Sequence, residues 1–584
     1  MKQILQTVWR TDKKNFLLIL LLNIGVALTG SVSIVMLVPM LDLLDVSVGD
    51  SGALNILLQP FRGMPYMHRA IVIIAAFVGL MLMQAILTSF ATIRKNAYME
   101  RYELEIRKRV YDAISRASWE TLSEKTDSDL IQLITVQCRR ARFCLQMIIS
   151  LIASFFSALL QLAIALWMSM PVTLMALVAG GGFLLLFRPF QKKSREYGQK
   201  AVEVDCVLHW EIQNQLSSIK EIRAYGVQTH HSERFDNISQ EHYDINLRTT
   251  QLQVIPQLCY SVASAVLIAL AFVYSVLILD TGTAQLMVLV YIFSRLWPLF
   301  SSWQGQLQSI QSGVPAYETI RTAVENLSSG LREPDVKNGD LSFKQEVSFE
   351  DVGFTYQNGN EEVLKGLNFT LPAGSVTALV GPSGAGKSTT ADLLLGLLRP
   401  TSGKILVDGK VLDEETLGAW RKAIGYIPQE PLILNTTVRE NLQRFHPQAT
   451  EEEMVDALKR SLAWPVIEKL PFGLDTILGD NGVRISGGER QRIVLARVLM
   501  GNPKLIILDE ATSALDYASE NFVRETIRSL RKHTTVLIIA HRMATIRGAD
   551  RALVLLNGKI AEQGTMQELL QKEDSYLAQM VSVE

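Results

Sequence analysis

Apolar residues follow two different patterns along this chain. Through the first half they form long runs without a charge, at 16–41, 70–93, 143–187 and 249–279, with a fifth at 281–294 that resumes after Arg295. A helix needs about 20 apolar residues to cross the ~30 Å hydrocarbon core of a bilayer. The 143–187 run is about twice that length, and Ser169-Met170-Pro171 offers a hairpin that divides it. The pattern predicts six spans, at about 16–41, 70–93, 146–169, 171–187, 255–279 and 283–303. From residue 346 onward the runs shorten and alternate with helical stretches, the habit of an α/β domain. The expected division is a six-helix transmembrane domain over 1–305, a linker over 306–345 and an α/β domain over 346–584.

The segments between the spans are long, polar and periodic. In "EIQNQLSSIKEIRAYGVQ" (211–228), Ile212, Leu216, Ile219, Ile222 and Tyr225 recur at helical spacing. Spans 2 to 5 are therefore expected to continue as helices beyond the membrane. Lys and Arg set the orientation. Lys2, Arg10, Lys13 and Lys14 precede the first span, and 94–142 carries Arg94, Lys95, Arg101, Arg107, Lys108, Arg109 and Arg116. By contrast, 42–69 has only Arg62 and Arg69. Both termini are expected in the cytoplasm, with no cleavable signal peptide.

Composition changes this picture little. The chain has 584 residues and a net charge of −1, which gives no overall attraction for nucleic acid. Its four cysteines, Cys138, Cys144, Cys206 and Cys259, show neither CxxC spacing nor a histidine cluster.

The second half carries the chemistry. "GPSGAGKST" (381–389) follows the apolar strand "SVTALV" (375–380) and opens a helix. That is the context in which G-x-x-x-x-G-K-[ST] closes its backbone N–H groups around phosphate oxygens. Gly381, Pro382, Ser383, Gly384, Ala385 and Gly386 form the loop, Lys387 reaches the β and γ phosphates, Ser388 can ligate Mg²⁺, and Thr389 follows. In "KLIILDEATSALD" (504–516) a buried strand delivers Asp509, suited to Mg²⁺, and then Glu510, suited to polarising an attacking water. A third strand, "TTVLIIAHR" (534–542), ends on His541, whose imidazole can reach the same γ-phosphate.

Taken in order, the phosphate loop, "YIPQE", "ISGGER", "LIILDE", "SALD" and "AHR" resemble the nucleotide-binding domain of ATP-binding cassette (ABC) proteins. With six preceding spans, nearly the whole chain resembles a half-size ABC exporter of the type IV transmembrane fold. The resemblance implies that Tyr356 in "VGFTYQ" stacks on adenine and that Gln429 senses Mg²⁺. It makes Ser486, Gly487 and Gly488 the signature, Asp516 a dimer-contacting aspartate, Glu510 the catalytic base and His541 the γ-phosphate switch. It places two coupling helices at 119–130 and 213–226. ATP and Mg²⁺ are the implied cofactors. A second half-transporter, identical or different, is the implied partner, and the lipid bilayer of a bacterial plasma membrane is the implied setting.

The chain departs from the family pattern at Glu489, where the commonest signature has Gln, and at Ile477 and Asn481 in "TILGDNG" (476–482). It also shows no N-terminal peptidase-like domain, so leader-peptide processing is not expected. The resemblance implies ATP-driven export of an amphipathic or peptide-like compound. Import of a metal chelate on the same fold and an ATP-gated channel remain as alternatives. Arg295, within span 6, could line a substrate cavity or snorkel to the headgroups. The three glycines of "AGGGF" (179–183) suggest close helix packing, with local unwinding as the alternative.

Overall fold

The structure, a computed structural model, describes residues 12–36, 39–40, 43, 65–168, 170–277, 283–329, 341–357, 359, 361–479, 482–509, 534–540, 546, 548–572 and 574–583. These form two compact units. One comprises 1–115 and 124–329, and the other 116–123 and 330–584.

Each expected span falls on a helix. In chain order these are α1 (Lys13–Val35), α2 (Tyr66–Ser115), the short α3 (Trp119–Ser123) and α4 (Asp127–Gln132), α5 (Cys138–Met168), α6 (Met170–Leu186), α7 (Arg188–Ser217), the short α8 (Ile219–Ala224), α9 (Gln228–Leu277) and α10 (Thr283–Ser329). Among the described residues, four stretches are long and apolar enough to cross a membrane: Lys13–Ser33, Tyr66–Ser115, Asp127–Ala163 and Gln228–Leu270. Helix α2 and helix α9 have 50 residues each, about 75 Å at 1.5 Å per residue, so each extends well past a ~30 Å hydrocarbon core. Helix α10 continues to Ser329, so residues 306–329 of the expected linker are helical, and Pro298 and Pro315 are carried inside that helix. The long segment after α6 is less continuous than its periodicity suggests. The helix breaks at Ser218 and again at Gly226, which has φ +68°, and of the five stripe residues only Ile222 is buried.

Ion pairs lock these helices together. Buried Asp205 on α7 accepts from Arg140 at 2.7 Å and pairs with His242 at 3.0 Å. Buried Glu103 on α2 takes Arg142 of α5 at 3.0 Å, and buried Glu211 takes Arg234 at 3.0 Å. Each buried carboxylate thus has a partner, as the desolvation penalty requires.

The glycine run of 179–183 lies inside a continuous α6. A Cβ on Gly181 or Gly182 would meet nothing within 4 Å, so these glycines neither unwind the helix nor serve close packing within the described chain. Close approach occurs elsewhere. A Cβ on Gly198 of α7 would come to 2.5 Å from the Ser312 carbonyl of α10. One on Gly313 would come to 2.9 Å from Cys144 Cβ.

The second unit is built on two sheets. Strands β1 (Glu346–Phe354), β2 (Leu364–Pro372), β4 (Ser402–Val407) and β5 (Lys410–Val411) form an antiparallel sheet in the order β2-β1-β4-β5. Strands β3 (Val376–Val380), β6 (Ile424–Ile427), β7 (Leu505–Asp509), β8 (Thr535–Ile539), β9 (Arg551–Leu556) and β10 (Lys559–Thr565) form the other, in the order β10-β9-β3-β8-β7-β6. Alternate residues of β3, β7 and β8 enter two different cores. Val376, Ala378, Ile506 and Ile538 lie in one, and Leu379, Ile507 and Ile539 in the other. A parallel sheet buried on both faces reads as an unbroken apolar run for this reason. The helices of this unit include α11 (Lys387–Leu394), α12 (Leu417–Ala423), α13 (Val438–Gln443), α14 (Glu451–Arg460) and α15 (Gly487–Met500).

Arg497 of α15 is 6% exposed and anchors a loop to that helix. It donates to the Leu432 carbonyl at 3.1 Å and the Asn441 carbonyl at 3.2 Å, with its guanidinium 4.5 Å from the Phe445 ring centroid. Arg497→Leu would leave the buried Asn441 carbonyl without this donor, at about 1–3 kcal/mol, and would also remove the bond to the partly buried Leu432 carbonyl. A lower thermal midpoint of the full-length protein in lipid nanodiscs is the expected result. An unchanged midpoint would show that the loop is held by other contacts.

Candidate functional site

The chemistry-bearing residues converge because five strands run parallel. Strand β3 lies between β9 and β8, β8 pairs with β7, and β7 pairs with β6, all in parallel register. Their carboxyl ends therefore share one edge, the usual ligand edge of an open α/β sheet. The loop 381–386 leaves β3 there, Gln429 follows β6 by two residues, and Asp509 closes β7 opposite Ile539 of β8.

The loop is shaped by glycine. Gly384 has φ +76° and Gly386 φ +104°, a region that side chains avoid, and a Cβ on Gly386 would reach 2.5 Å from Leu364 Cδ2. Gly386 caps α11, so the helix N-terminus faces the loop's concavity. Lys387 Nζ donates to the carbonyls of Gly381 and Pro382, both at 2.9 Å, which folds the ammonium over its own loop. The C-terminal end of α11 is held as well. The Trp420 indole donates to the Leu394 carbonyl at 2.7 Å, and Arg421 donates to that of Gly396 at 2.7 Å. Tyr356 packs edge-on against Phe354 and shares a 3.2 Å hydrogen bond with Thr389.

Asp509 accepts a hydrogen bond from the Tyr426 hydroxyl at 3.2 Å. Nearby Asp392, on α11, is pushed up to about 6, first by burial and then by the charge of Asp509, while the Trp119 indole N–H pulls it back down. Ser388 and Gln429 are exposed. Ser388, Gln429 and Asp509 offer only oxygen donors, a set that suits Mg²⁺. Among the described residues no group of three His, Cys, Asp or Glu could hold a metal alone, so a cation here would lean on phosphate oxygens and water.

The signature region forms an N-terminal cap. Ser486 precedes α15; its hydroxyl accepts from Glu489 N–H at 3.3 Å, and Glu489 accepts from Ser486 N–H at 2.7 Å. This capping box explains the departure at 489, since Glu and Gln close it equally well. Gly487 and Gly488 form the first turn. Glu510, His541 and Asp516, together with Asn481, lie outside the described residues. Arg295 sits within α10, but its side chain is likewise outside them.

Sequence reading did not find the contacts of α3. This helix belongs to the second unit. Glu120 accepts from the backbone N–H of Gln357, next to Tyr356, at 2.6 Å, and Trp119 donates to Asp392. The position of α3 was legible at 119–130, but its partners were not. Asp392 and Tyr426 were also missed, because nothing in a lone acid or phenol marks it as a neighbour of Asp509.

Residues 364–513 match the model of the ABC transporter family, and residues 16–299 match that of the ABC transporter transmembrane region. An uncharacterized ABC transporter ATP-binding protein, y4gM of Sinorhizobium fredii, is 30% identical over 494 residues, covering 80% of each chain. The chain belongs to the ABC transporter family. As an ABC transporter it binds ATP and couples its hydrolysis to transport across a membrane. The heterocyst differentiation ATP-binding protein HepA of Nostoc is 36% identical over 364 residues, a match spanning 61% of this chain and 58% of HepA. The fold of this ABC transporter is that of an exporter. A bacterial Atm1-family ABC exporter with ATP bound superposes over 99% of both chains with a TM-score of 0.81, at 24% identity. The expected fold class, helical membrane domain followed by an α/β nucleotide-binding domain, is borne out.

Proposed function

We propose that this chain is one half of a dimeric exporter that moves an amphipathic or peptide-like compound out of a bacterial cytoplasm through the plasma membrane. The observation that supports this best is the match of the whole chain, rather than one domain, to an exporter fold. The functional division is 1–305 for the substrate path, 306–345 for the connection and 346–584 for ATP, with the nucleotide domain and both termini cytoplasmic.

In this reading Tyr356 stacks on adenine, and the 381–389 loop cradles the phosphates. Ser388, Gln429 and Asp509 hold Mg²⁺, which would neutralise phosphate charge as it develops. Glu510 polarises the attacking water and His541 contacts the γ-phosphate. Ser486, Gly487 and Gly488 bind the ATP held by a partner chain, with Asp516 at that contact. Support for the last assignment comes from the signature itself. Ser486 is exposed, and among the described residues its hydroxyl is bonded only within its own capping box. A helix N-terminus with uncovered N–H groups favours an anion. ATP would drive transport by binding the closed dimer better than the open one.

Inside-out vesicles containing the protein test the direction. ATP-dependent accumulation of an amphipathic dye, such as rhodamine 123, is expected, and Lys387→Ala should abolish it. Depletion of preloaded vesicles would instead establish import. Equilibration without accumulation against a gradient would establish a channel.

A further inference from the structure

The first unit holds a cavity of about 770 Å³ between α1, α2, α5 and α10, well within the range of sites for small molecules. Its lining is two-sided. Phe77, Met81 and Ile149 give it apolar walls, while α5 contributes Ser150, Ser154, Ser157 and Gln161. Those four recur at i, i+4, i+7 and i+11, which puts them on one helix face over about 17 Å. Polar groups at membrane depth are costly unless they face a cavity or a partner.

One of these groups is not fully used among the described residues. Gln161 donates to Ser157 at 3.4 Å, yet its carbonyl oxygen is buried with no hydrogen-bond partner. Ser154 accepts from the Trp303 indole at 2.8 Å, which fixes one wall. On the opposite side Gln84 lies against Gly30, where a Cβ would come to 3.0 Å from the Gln84 amide nitrogen, so glycine keeps this amide's place.

Charge distinguishes one end of the cavity. Lys95 lines it, half-buried, and no ion pair engages it among the described residues. Other basic residues of α2 and α5 are committed elsewhere: Arg94 stacks on Phe90, Arg107 pairs with Glu103, and Arg142 pairs with Glu100 and Glu103. Among the described residues no acidic side chain lines the cavity.

We propose that this cavity binds an elongated amphiphile with an anionic end, the anion at Lys95 and hydrogen-bonding groups along the Ser150–Gln161 face. The proposal deepens the transport reading by naming the charge and shape of the compound. It rests on that reading only for the step that follows binding.

The test uses the full-length protein in nanodiscs of phosphatidylcholine, with dodecyl phosphate as probe and thermal stabilisation as the binding readout. Wild type is expected to be stabilised by dodecyl phosphate and far less by dodecyltrimethylammonium. Lys95→Gln should raise the half-saturating concentration about tenfold, Gln161→Leu about fivefold, and Lys95→Arg should restore the wild-type response. Adding phosphatidylglycerol to the disc separates two sources of the same chemistry. Lys95-dependent stabilisation by phosphatidylglycerol assigns the cavity to a bilayer lipid, and stabilisation by dodecyl phosphate alone assigns it to a free amphiphile.

The proposal is overturned if wild type does not bind dodecyl phosphate, if the two variants bind it as wild type does, or if the cationic probe binds equally well. ATPase measured on the same samples keeps the two readings apart. Lys95-dependent binding without any transport-coupled ATPase supports the cavity and removes the transport reading. Stimulation indifferent to Lys95 and Gln161 does the reverse.

Discussion

Glu510→Gln is expected to bind ATP as the wild type does and to lose about 10²–10⁴-fold in turnover, the usual cost of removing a positioned base. Asp509 ends β7 at the ligand edge of the sheet and is held there by the Tyr426 hydroxyl. Glu510 is the next residue in the chain. Gln is nearly isosteric with Glu, so the substitution removes charge and basicity while leaving shape alone. If Asp509 serves Mg²⁺ and Glu510 serves the water, the two variants should separate. Asp509→Asn should weaken nucleotide binding itself, whereas Glu510→Gln should trap ATP. The measurement is retention of radiolabelled ATP on the protein after rapid desalting, alongside phosphate release. Near-wild-type phosphate release in Glu510→Gln would remove Glu510 from its role and point to His541 or to bound phosphate as the base.

The membrane helices were legible because the constraint on them is one-dimensional. A bilayer forbids charge over a fixed length, and 16–41, 70–93 and 143–187 record that prohibition directly. The strand–loop–helix at 375–389 was legible for a related reason. Only glycine tolerates φ +104° at position 386, so local geometry leaves its mark on local sequence. What could not be read depends on partners distant in the chain. Glu120 meets Gln357 across 237 residues, and nothing in either segment anticipates the other. The glycines are instructive in the same way. Gly181 and Gly182 of the conspicuous run at 179–183 have no close neighbour among the described residues, while the isolated Gly198 and Gly313 do, because the facing helix decides what a small residue is for. The polar face of α5 was in principle visible as Ser150, Ser154, Ser157 and Gln161 at helical spacing. Intramembrane charge, at Arg295, is the louder signal and masks it.

A mixed dimer carrying Lys387→Ala in one chain and Ser486→Arg in the other is expected to retain ATPase that both parental homodimers lack. Lys387 folds over its loop at the carboxyl edge of the sheet, and Ser486 caps α15 with its hydroxyl bonded, among the described residues, only to Glu489. If the signature of one chain completes the phosphate loop of the other, each homodimer is damaged at both of its sites. In the mixed dimer the two lesions fall on a single site, and the other, built from an unaltered loop and an unaltered signature, is whole. If each chain used its own signature, both sites of the mixed dimer would carry one lesion and no activity would return. Differently tagged chains, co-expressed and purified over both tags, isolate the mixed species for the assay. A second readout covers the case in which the two sites hydrolyse only together. Ser486→Cys in one chain and Ser383→Cys in the other should form an intermolecular cross-link that strengthens with ATP and the Glu510→Gln background. The cross-link follows from placing one chain's helix N-terminus against the phosphate bound by its partner, where the N–H groups of Gly487 and Gly488 meet negative charge. Absence of both the rescued ATPase and the cross-link would sink the composite site and leave the signature as a cap for its own helix.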